Sequence, residues 1–551
     1  MAFRKRSFHE RLWEVIPGLM FWGTLFFALF FSANHPVWVS VFIILFDLYW
    51  LFKAINGATH LISAYRRYKF FITLDWLSIV ERLSDFKEYL KYLEQQVINA
   101  KSGRAKTYFS EETIRINKLL EIGREGGSFK DYYHVVLYPF VDEGPEILET
   151  SLSSLAGVTF PKERIIVVLA TEERAGEQAA KTAAITKAKF GDKFFKFFVT
   201  VHPDGLAGEI KGKSANASWA VKSIMPELEK LGIGIDQVLI SNFDSDTMVH
   251  PQYFSRVMYE FLTSEKPYRS SYQPIAVYNN NIWDSPSFIR VVSVSNTFWQ
   301  FIESSRPNRL RTFSSHTMTL RALVDVGFWR KDLINEDGYI FWQCYLHYDG
   351  DYQAVPLLIS ISLDTCLADT YKQTLINQYK QKRRWAYNVE YYPTLMPALI
   401  KSKAPLWDRV YKIFQYVEGN YNWATASIVI SALGWLPLFL GGDKFGQTVV
   451  ASNLPFMTRI IMTLATAFLI FSIYINMYLL PPRPAKYTRW RTISMYLQWI
   501  FVPIISVFFG SLPAVESQTR LMLGQYMEFW VTPKVRKEGD IVPDSATANL
   551  S

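Results

Sequence analysis

Apolar positions follow two patterns along this chain. Near both ends they form long unbroken runs. Between the ends, short β-branched and aromatic runs alternate with segments of helical spacing. Residues 12–31 and 37–52 are the first two long runs, joined by "SANHP". A membrane span needs about 20 apolar residues, so the second run is slightly short, and Lys53 extends it by snorkelling. Asp47 sits inside that run and reads as a bundle-facing hydrogen-bonding group. Residues 401–421 are amphipathic and aromatic, the pattern of a helix lying at a membrane interface. Residues 423–440 and 460–480 read as further spans, and 493–509 as another apolar run. A turn near residues 510–513 and a return through "TRLMLGQYMEFWV" predict a re-entrant or sixth helix, which keeps the basic stretch "TPKVRKEGD" on the inner side.

In the middle, "YYHVVLYPF", "RIIVVLAT", "FFKFFVTV" and "QVLISNF" predict strands, while "EILETSLSSL" and "SANASWAVKSIM" predict helices. Alternation about every 30 residues predicts a parallel sheet wrapped by helices, which binds ligands at the carboxyl ends of its strands. The predicted organisation is a transmembrane hairpin at 1–58, a juxtamembrane helical connector at 59–130 and an α/β domain at 131–400. An interfacial helix at 401–421, a C-terminal transmembrane bundle at 422–530 and a disordered tail at 531–551 complete it.

The distribution of charge orients this layout. Lys and Arg number 59 against 50 Asp and Glu, and a net +9 suits nucleic acid, anionic lipid or a phosphorylated ligand without choosing among them. Arg4, Lys5, Arg6 and Arg11 precede the first run, and Arg66, Arg67 and Lys69 follow the second. Arg483, Lys486, Arg489 and Arg491 lie in "PPRPAKYTRWR", whereas "SANHP" and "GGDKFGQTVVASNLP" are poor in basic residues. The basic segments belong inside, which predicts a multi-pass plasma-membrane protein with its α/β domain in the cytoplasm. No small-residue cleavage site follows the basic N-terminus, so the first run is an uncleaved anchor. Cys344 and Cys366 are the only cysteines; with eight scattered histidines they exclude a disulfide framework, a C-x-x-C site and an H-E-x-x-H site.

Three constellations carry candidate chemistry. In "VLISNFDSDTMVH" a predicted strand ends on Asp244 and Asp246, two carboxylates that can hold a divalent cation bridging a diphosphate. Acidic residues at a strand end are also common turn formers, and a second D-x-D, at Asp349 and Asp351, contains a glycine and reads as a turn. In "LINEDGYIFWQ", Glu336 and Asp337 open an apolar helical segment, either complementing its dipole or accepting a proton from an attacking hydroxyl. In "QKRRW", Gln381, Arg384 and Trp385 supply a fork for phosphate oxygens and a flat face for a sugar ring. The same stretch also reads as a basic helix at a membrane surface.

These three motifs, in this order and between these apolar runs, resemble the membrane-embedded family 2 glycosyltransferases, in particular the cellulose- and hyaluronan-synthase-like branch. The resemblance covers residues 131–400 and the membrane layout around them. It implies an α/β GT-A (Rossmann-like nucleotide-sugar) domain inserted between α-helical transmembrane segments. It also implies a metal-dependent transferase using Mg or Mn on Asp244 and Asp246. Asp337 is then the base, with Glu336 beside it, and Gln381, Arg384 and Trp385 line the acceptor and diphosphate. "LYPFVDEG" is similar to the family's first strand and loop, with Glu143 at an acidic position, although Phe140, Val141 and Asp142 depart from its P-x-Y-N wording. "GEIKGKSAN" is similar to the family's G-K-x-x-x-x-N loop and puts Lys213 near the nucleotide, with Asn216 earlier than usual. The base-contacting acid is Glu172 or Glu173 of "VVLATEERAG", where the family usually has Asp. "FSSHTMTL" stands in place of F-x-G-[ST], and His316 replaces a small acceptor-pocket residue. The implied partners are a nucleotide-diphosphate sugar, most often a UDP-sugar, a glycan or lipid acceptor and membrane lipids, with no nucleic acid. Three functions follow: extension of a growing polysaccharide by inversion, glycosylation of a lipid acceptor, and nucleotide-sugar binding without turnover.

Overall fold

A computed structural model describes residues 6–536. The predicted tail lies largely beyond them, as residues 537–551, and so do Arg4 and Lys5. Helix α1 (Phe8–Asn34) opens with a capping box, in which the Ser7 hydroxyl accepts from Glu10 N while the Glu10 carboxylate accepts from Ser7 N. Pro36 at the first turn of α2 (Pro36–Phe71) restarts the helix after a short break. α2 continues well past the predicted boundary at residue 58 and delivers Tyr68 and Phe71 into the core of the α/β domain. A helical hairpin, Phe86–Asn99 and Gly103–Glu121, follows, capped by Asp85 and Ser102. It buries Tyr89, Leu93, Ile116 and Leu119 in that same core.

The sheet has eight strands: β1 (Tyr133–Pro139), β2 (Ile165–Glu172), β3 (Lys196–His202), β4 (Val238–Asn242), β5 (Met248–Val249), β6 (Ser270–Tyr278), β7 (Thr317–Thr319) and β8 (Gln353–Leu363), in the order β3-β2-β1-β4-β7-β6-β8-β5. β1 pairs in parallel with β2 and β4, and β6 with β8. β7 runs antiparallel to β4 and β6, and β5 antiparallel to β8. The sheet is therefore mixed, not the parallel one expected. The two antiparallel insertions are two and three residues long, too short to show any period in the sequence. The central strands β1, β4 and β6 are buried along almost their whole length because both faces are covered. Val136 and Tyr138 join the core shared with the helical hairpin, while Val135 and Leu137 pack on the other side against Ala217, Ala220 and Val221.

The other site-bearing helices are α3 (Lys213–Lys230), α4 (Ser287–Ser304), α5 (Glu336–His347), α6 (Tyr371–Ala386), α7 (Leu406–Ser431), α8 (Val449–Leu479) and α9 (Leu512–Met522). Most of the amphipathic segment expected at 401–421 and the first part of the apolar run after it form one continuous helix, α7. Among the described residues three helices are long and apolar enough to cross a membrane: α1, α2 and the run Arg489–Met522. A fourth appears if α7 and the segment Leu433–Leu440, bent by 48°, count as one span. Phe26, Leu45, Phe52 and Ile500 lie exposed on these helices, as apolar side chains facing lipid do.

Candidate active site

The carboxyl end of β4 meets the start of α3. Lys213, the first residue of α3, places its Nζ 2.8 Å from Asp244 Oδ1 and 3.5 Å from Asp337 Oδ2. One ammonium thus spans two of the three sequence constellations. Burial works against its charge, but Asp244, Asp337 and Glu336 outweigh burial and hold its pKa above the usual lysine value. Burial would likewise raise the Asp244 carboxyl; Lys213 and Lys534 reverse this and hold it well below the usual range. Ser314 donates to Asp244, and the Ser315 hydroxyl accepts from the Asp244 N–H at 3.2 Å. Ser315 has a φ of 63°, a left-handed conformation that costs a non-glycine residue energy and is common at functional loops.

Glu336 and Asp337 form the first turn of α5, held from below by the segment after α6. The buried Glu390 carboxylate accepts from Ile334 N at 2.9 Å and Asn335 N at 3.0 Å. Asn335 Nδ2 donates to the Arg384 carbonyl at 2.9 Å, and Tyr391 OH donates to the Asn335 carbonyl. A Cβ on Gly338 would lie 3.1 Å from that same hydroxyl, so a side chain there would press on Tyr391. Burial first, then the neighbouring Asp337 charge, pushes the Glu336 carboxyl up to about 8. Asp337 Oδ1 is buried and accepts no hydrogen bond among the described residues. His316 is buried beside it; burial lowers its pKa, the Asp337 charge opposes this, and Nδ1 pairs with the Phe313 carbonyl at 2.8 Å.

α6 carries the third constellation. The Arg384 guanidinium lies over Phe529 at 4.9 Å, with Nε buried and unpaired among the described residues. Its charge acts on Glu336 and on Tyr278. Trp385 meets the Tyr278 ring at 6.2 Å. The structure therefore gathers Lys213, Asp244, His316, Glu336, Asp337 and Arg384, with Trp385 one ring away. Glu143 joins through Ser245, whose hydroxyl donates to Glu143 Oε1 at 2.7 Å next to Asp246. Glu172, Glu173 and Gln381 bond elsewhere: Glu172 to Arg174, Glu173 to the Asp204 N–H and Gln381 to Gln378. Asn216 Nδ2 donates to the Ala170 carbonyl and fastens α3 to the sheet. The second D-x-D is a turn with φ of 50° at Asp349 and 90° at Gly350, and its Asp351 pairs with Lys266 and Arg269.

Sequence reasoning missed the C-terminal strap. After α9 the chain turns at Gly524, φ 74°, and runs without regular structure into the site. Phe529 packs on Gly212, where a Cβ would lie 3.2 Å from its ring. Lys534 Nζ lies 2.7 Å from Asp246 Oδ1, 2.8 Å from Ser245 Oγ and 3.9 Å from Glu143 Oε1. Arg536 pairs with Asp364, whose backbone N–H donates to Asp246 Oδ2 at 2.8 Å. The one sequence signal was "FWVTPKVR", two aromatics and two cations in a stretch assigned to the end of the bundle and a disordered tail.

The oxygens around Lys534 fit a hard divalent cation. An ammonium nested among Asp246, Ser245 and Glu143 marks a place where positive charge is stabilised, and Asp244 stands on the same strand end. Burial first, then the charges of Asp364 and Asp244, raise the Asp246 carboxyl, and Lys534 opposes them. No cluster of three or more His, Cys, Asp or Glu with metal-binding geometry occurs among the described residues, so further ligands would come from water or a diphosphate.

No family model matches the sequence, and no curated protein matches it. Solved structures do resemble the fold. The chain is similar to the mannosyltransferase PcManGT from Pyrobaculum calidifontis in complex with GDP-Man and Mn2+, with a TM-score of 0.35 and 12% identity over 68% of this chain and 86% of that one. It is also similar to S. aureus TarS 1–349 in complex with UDP-GlcNAc, at a TM-score of 0.31 and 13% identity over 72% and 93%. Likenesses this distant carry no weight for the site, whose chemistry is read from its own side chains.

Proposed function

We propose that the chain is an inverting glycosyltransferase of the membrane-embedded family 2 kind, which extends a polysaccharide from a nucleotide-diphosphate sugar at the cytoplasmic membrane face. The observation that carries this reading is Lys213, within 3.5 Å of both Asp244 and Asp337. It supports the reading because it joins the strand end that carries Asp244 to the candidate base. The donor diphosphate lies at the sheet rim near Lys213 and Arg384, whose cations suit its oxygens. When bound, a Mg or Mn ion on Asp244 and Asp246 neutralises charge on the leaving diphosphate. The acceptor hydroxyl oxygen attacks the anomeric carbon. The bond from that carbon to the diphosphate oxygen breaks, the nucleotide leaves with the electron pair, and the hydroxyl proton passes to Asp337 Oδ1, the unpaired carboxylate oxygen. Most of the rate gain comes from orientation and from fixed charges in a buried site. Trp385 and His316 border the acceptor position.

The test is a panel of UDP- and GDP-sugars with purified full-length protein and Mn or Mg. Release of free nucleotide from at least one donor, abolished by chelation, is expected. No release from any donor, with donor binding intact, would leave a nucleotide-sugar-binding protein without turnover.

A further inference from the structure

Lys382 is the cation that the mechanism leaves unused. On α6 its neighbour Arg383 pairs with Glu516 at 2.5 Å, and Arg384 lies over the Phe529 ring. Lys382 has no carboxylate partner among the described residues. Its Nζ donates to Asn296 Oδ1 at 3.0 Å and stands 5.3 Å from the ring centres of both Trp385 and Trp423. Burial alone draws its pKa down to about 8, so the protein holds it in a poorly solvated place without supplying a counter-charge. Two aromatic faces and one amide compensate only part of that loss.

Lys382, Trp385, Trp423 and Asn296 each keep part of their surface accessible. One turn along α4 from Asn296, Trp299 is 46% exposed and meets Phe313 edge-on at 4.6 Å. Phe313 precedes Ser314, which donates to Asp244. On the other wall Trp385 leads through Tyr278 to the same carboxylates. Trp299 and Trp385 thus each lead through one aromatic neighbour toward Asp244, and flat indole faces suit sugar rings.

We propose that the acceptor is an acidic saccharide, whose carboxylate pairs with Lys382 while its rings lie along Trp385, Trp423 and Trp299. This rests on the transferase reading and narrows its acceptor class. A neutral glycan would leave the ammonium without a counter-ion on closing the groove. A lipid phosphate would supply charge but no ring for three indoles.

The test uses full-length protein in detergent and reads tryptophan-fluorescence titrations. The probes are an oligoglucuronate, the same oligomer with its carboxylates reduced to alcohols, and a polyprenyl phosphate. Wild type is expected to bind the acidic oligomer about tenfold or more tighter than the reduced one, the size of a charge-assisted hydrogen bond. Lys382→Met should abolish that preference and Lys382→Arg retain it. Equal binding of acidic and reduced oligomers by wild type would overturn the proposal, whatever the fate of the variants. A preference unchanged in Lys382→Met, or tighter binding of the polyprenyl phosphate, would overturn it too. Nucleotide release measured on the same sample separates the two readings. Release without acid preference removes only this inference, and acid preference without release from any donor removes the transferase.

Discussion

At the scale of single residues, the pair Glu336 and Asp337 divides the work by protonation. Glu336 is fully enclosed, and its carboxyl is pushed to about 8, so near neutral pH it is uncharged. Asp337 faces the Lys213 ammonium and keeps one oxygen free. Gln matches a protonated Glu in charge and shape, whereas Asn cannot accept the proton an Asp takes. Glu336→Gln should therefore keep nucleotide release within about threefold of wild type near pH 7, while Asp337→Asn should lose about a hundredfold or more. As pH rises through about 8, wild-type Glu336 ionises beside Asp337 and the Gln variant does not, so the two pH profiles should separate only on the alkaline side. Equal losses in the two variants at neutral pH would contradict this division. The residue types at this site were legible in the sequence because carboxylates at a strand end and at a helix start stand out against apolar neighbours. The bridging position of Lys213 was not, since a loop lysine reveals no partner until the strands are aligned. Glu390 was equally hidden: it acts through backbone N–H groups of residues more than fifty positions away.

At the scale of elements, the strap after α9 carries the consequence most open to measurement. Lys534 occupies oxygens of Asp246 and Ser245 that a divalent cation would share, so lysine and cation compete. Removing the ammonium leaves partly buried carboxylates with less positive charge, which raises their affinity for a metal. Lys534→Ala should bind Mn2+ about threefold to tenfold tighter than wild type, read by titration of free Mn2+ in electron paramagnetic resonance. Weaker or unchanged Mn2+ binding would show that lysine and metal do not share this place. The sequence concealed the strap because an extended segment has neither helical nor strand periodicity. Its contacts run between residues 529–536 and 143–384, a separation no local pattern reports. Strands β1 to β4 were legible from short β-branched and aromatic runs, but β5 and β7 were not. The connector hairpin showed its helical character, yet its burial in the sheet's core depends on partners such as Tyr259 and Glu260, which pair with Glu112 and Arg115.

At the scale of the whole molecule, the apolar runs and the site must be reconciled with one orientation. The helices long enough to cross a bilayer pack directly on the α/β domain. Arg11 donates to the carbonyls of Leu521 and Met522 at the root of the strap, tying α1 to α9. Arg491 donates to the carbonyls of Trp283 and Ser285 beside α4. Basic residues thus collect on the side of the molecule that holds the catalytic domain, while the turns between α1 and α2 and before α8 have few. Translocating a basic loop against the membrane potential is unfavourable, so this asymmetry predicts an orientation with the site inside the cell. The described cysteines, Cys344 and Cys366, are both buried, which allows single reporter cysteines on the surface. His35→Cys and Gln447→Cys, at the two basic-poor turns, should react with a membrane-impermeant maleimide in intact cells. Lys101→Cys, in the exposed turn of the connector hairpin, should react only after the membrane is opened. The reverse pattern would put the diphosphate site on the outside, away from cytoplasmic nucleotide sugars, and the transferase reading would lose its donor.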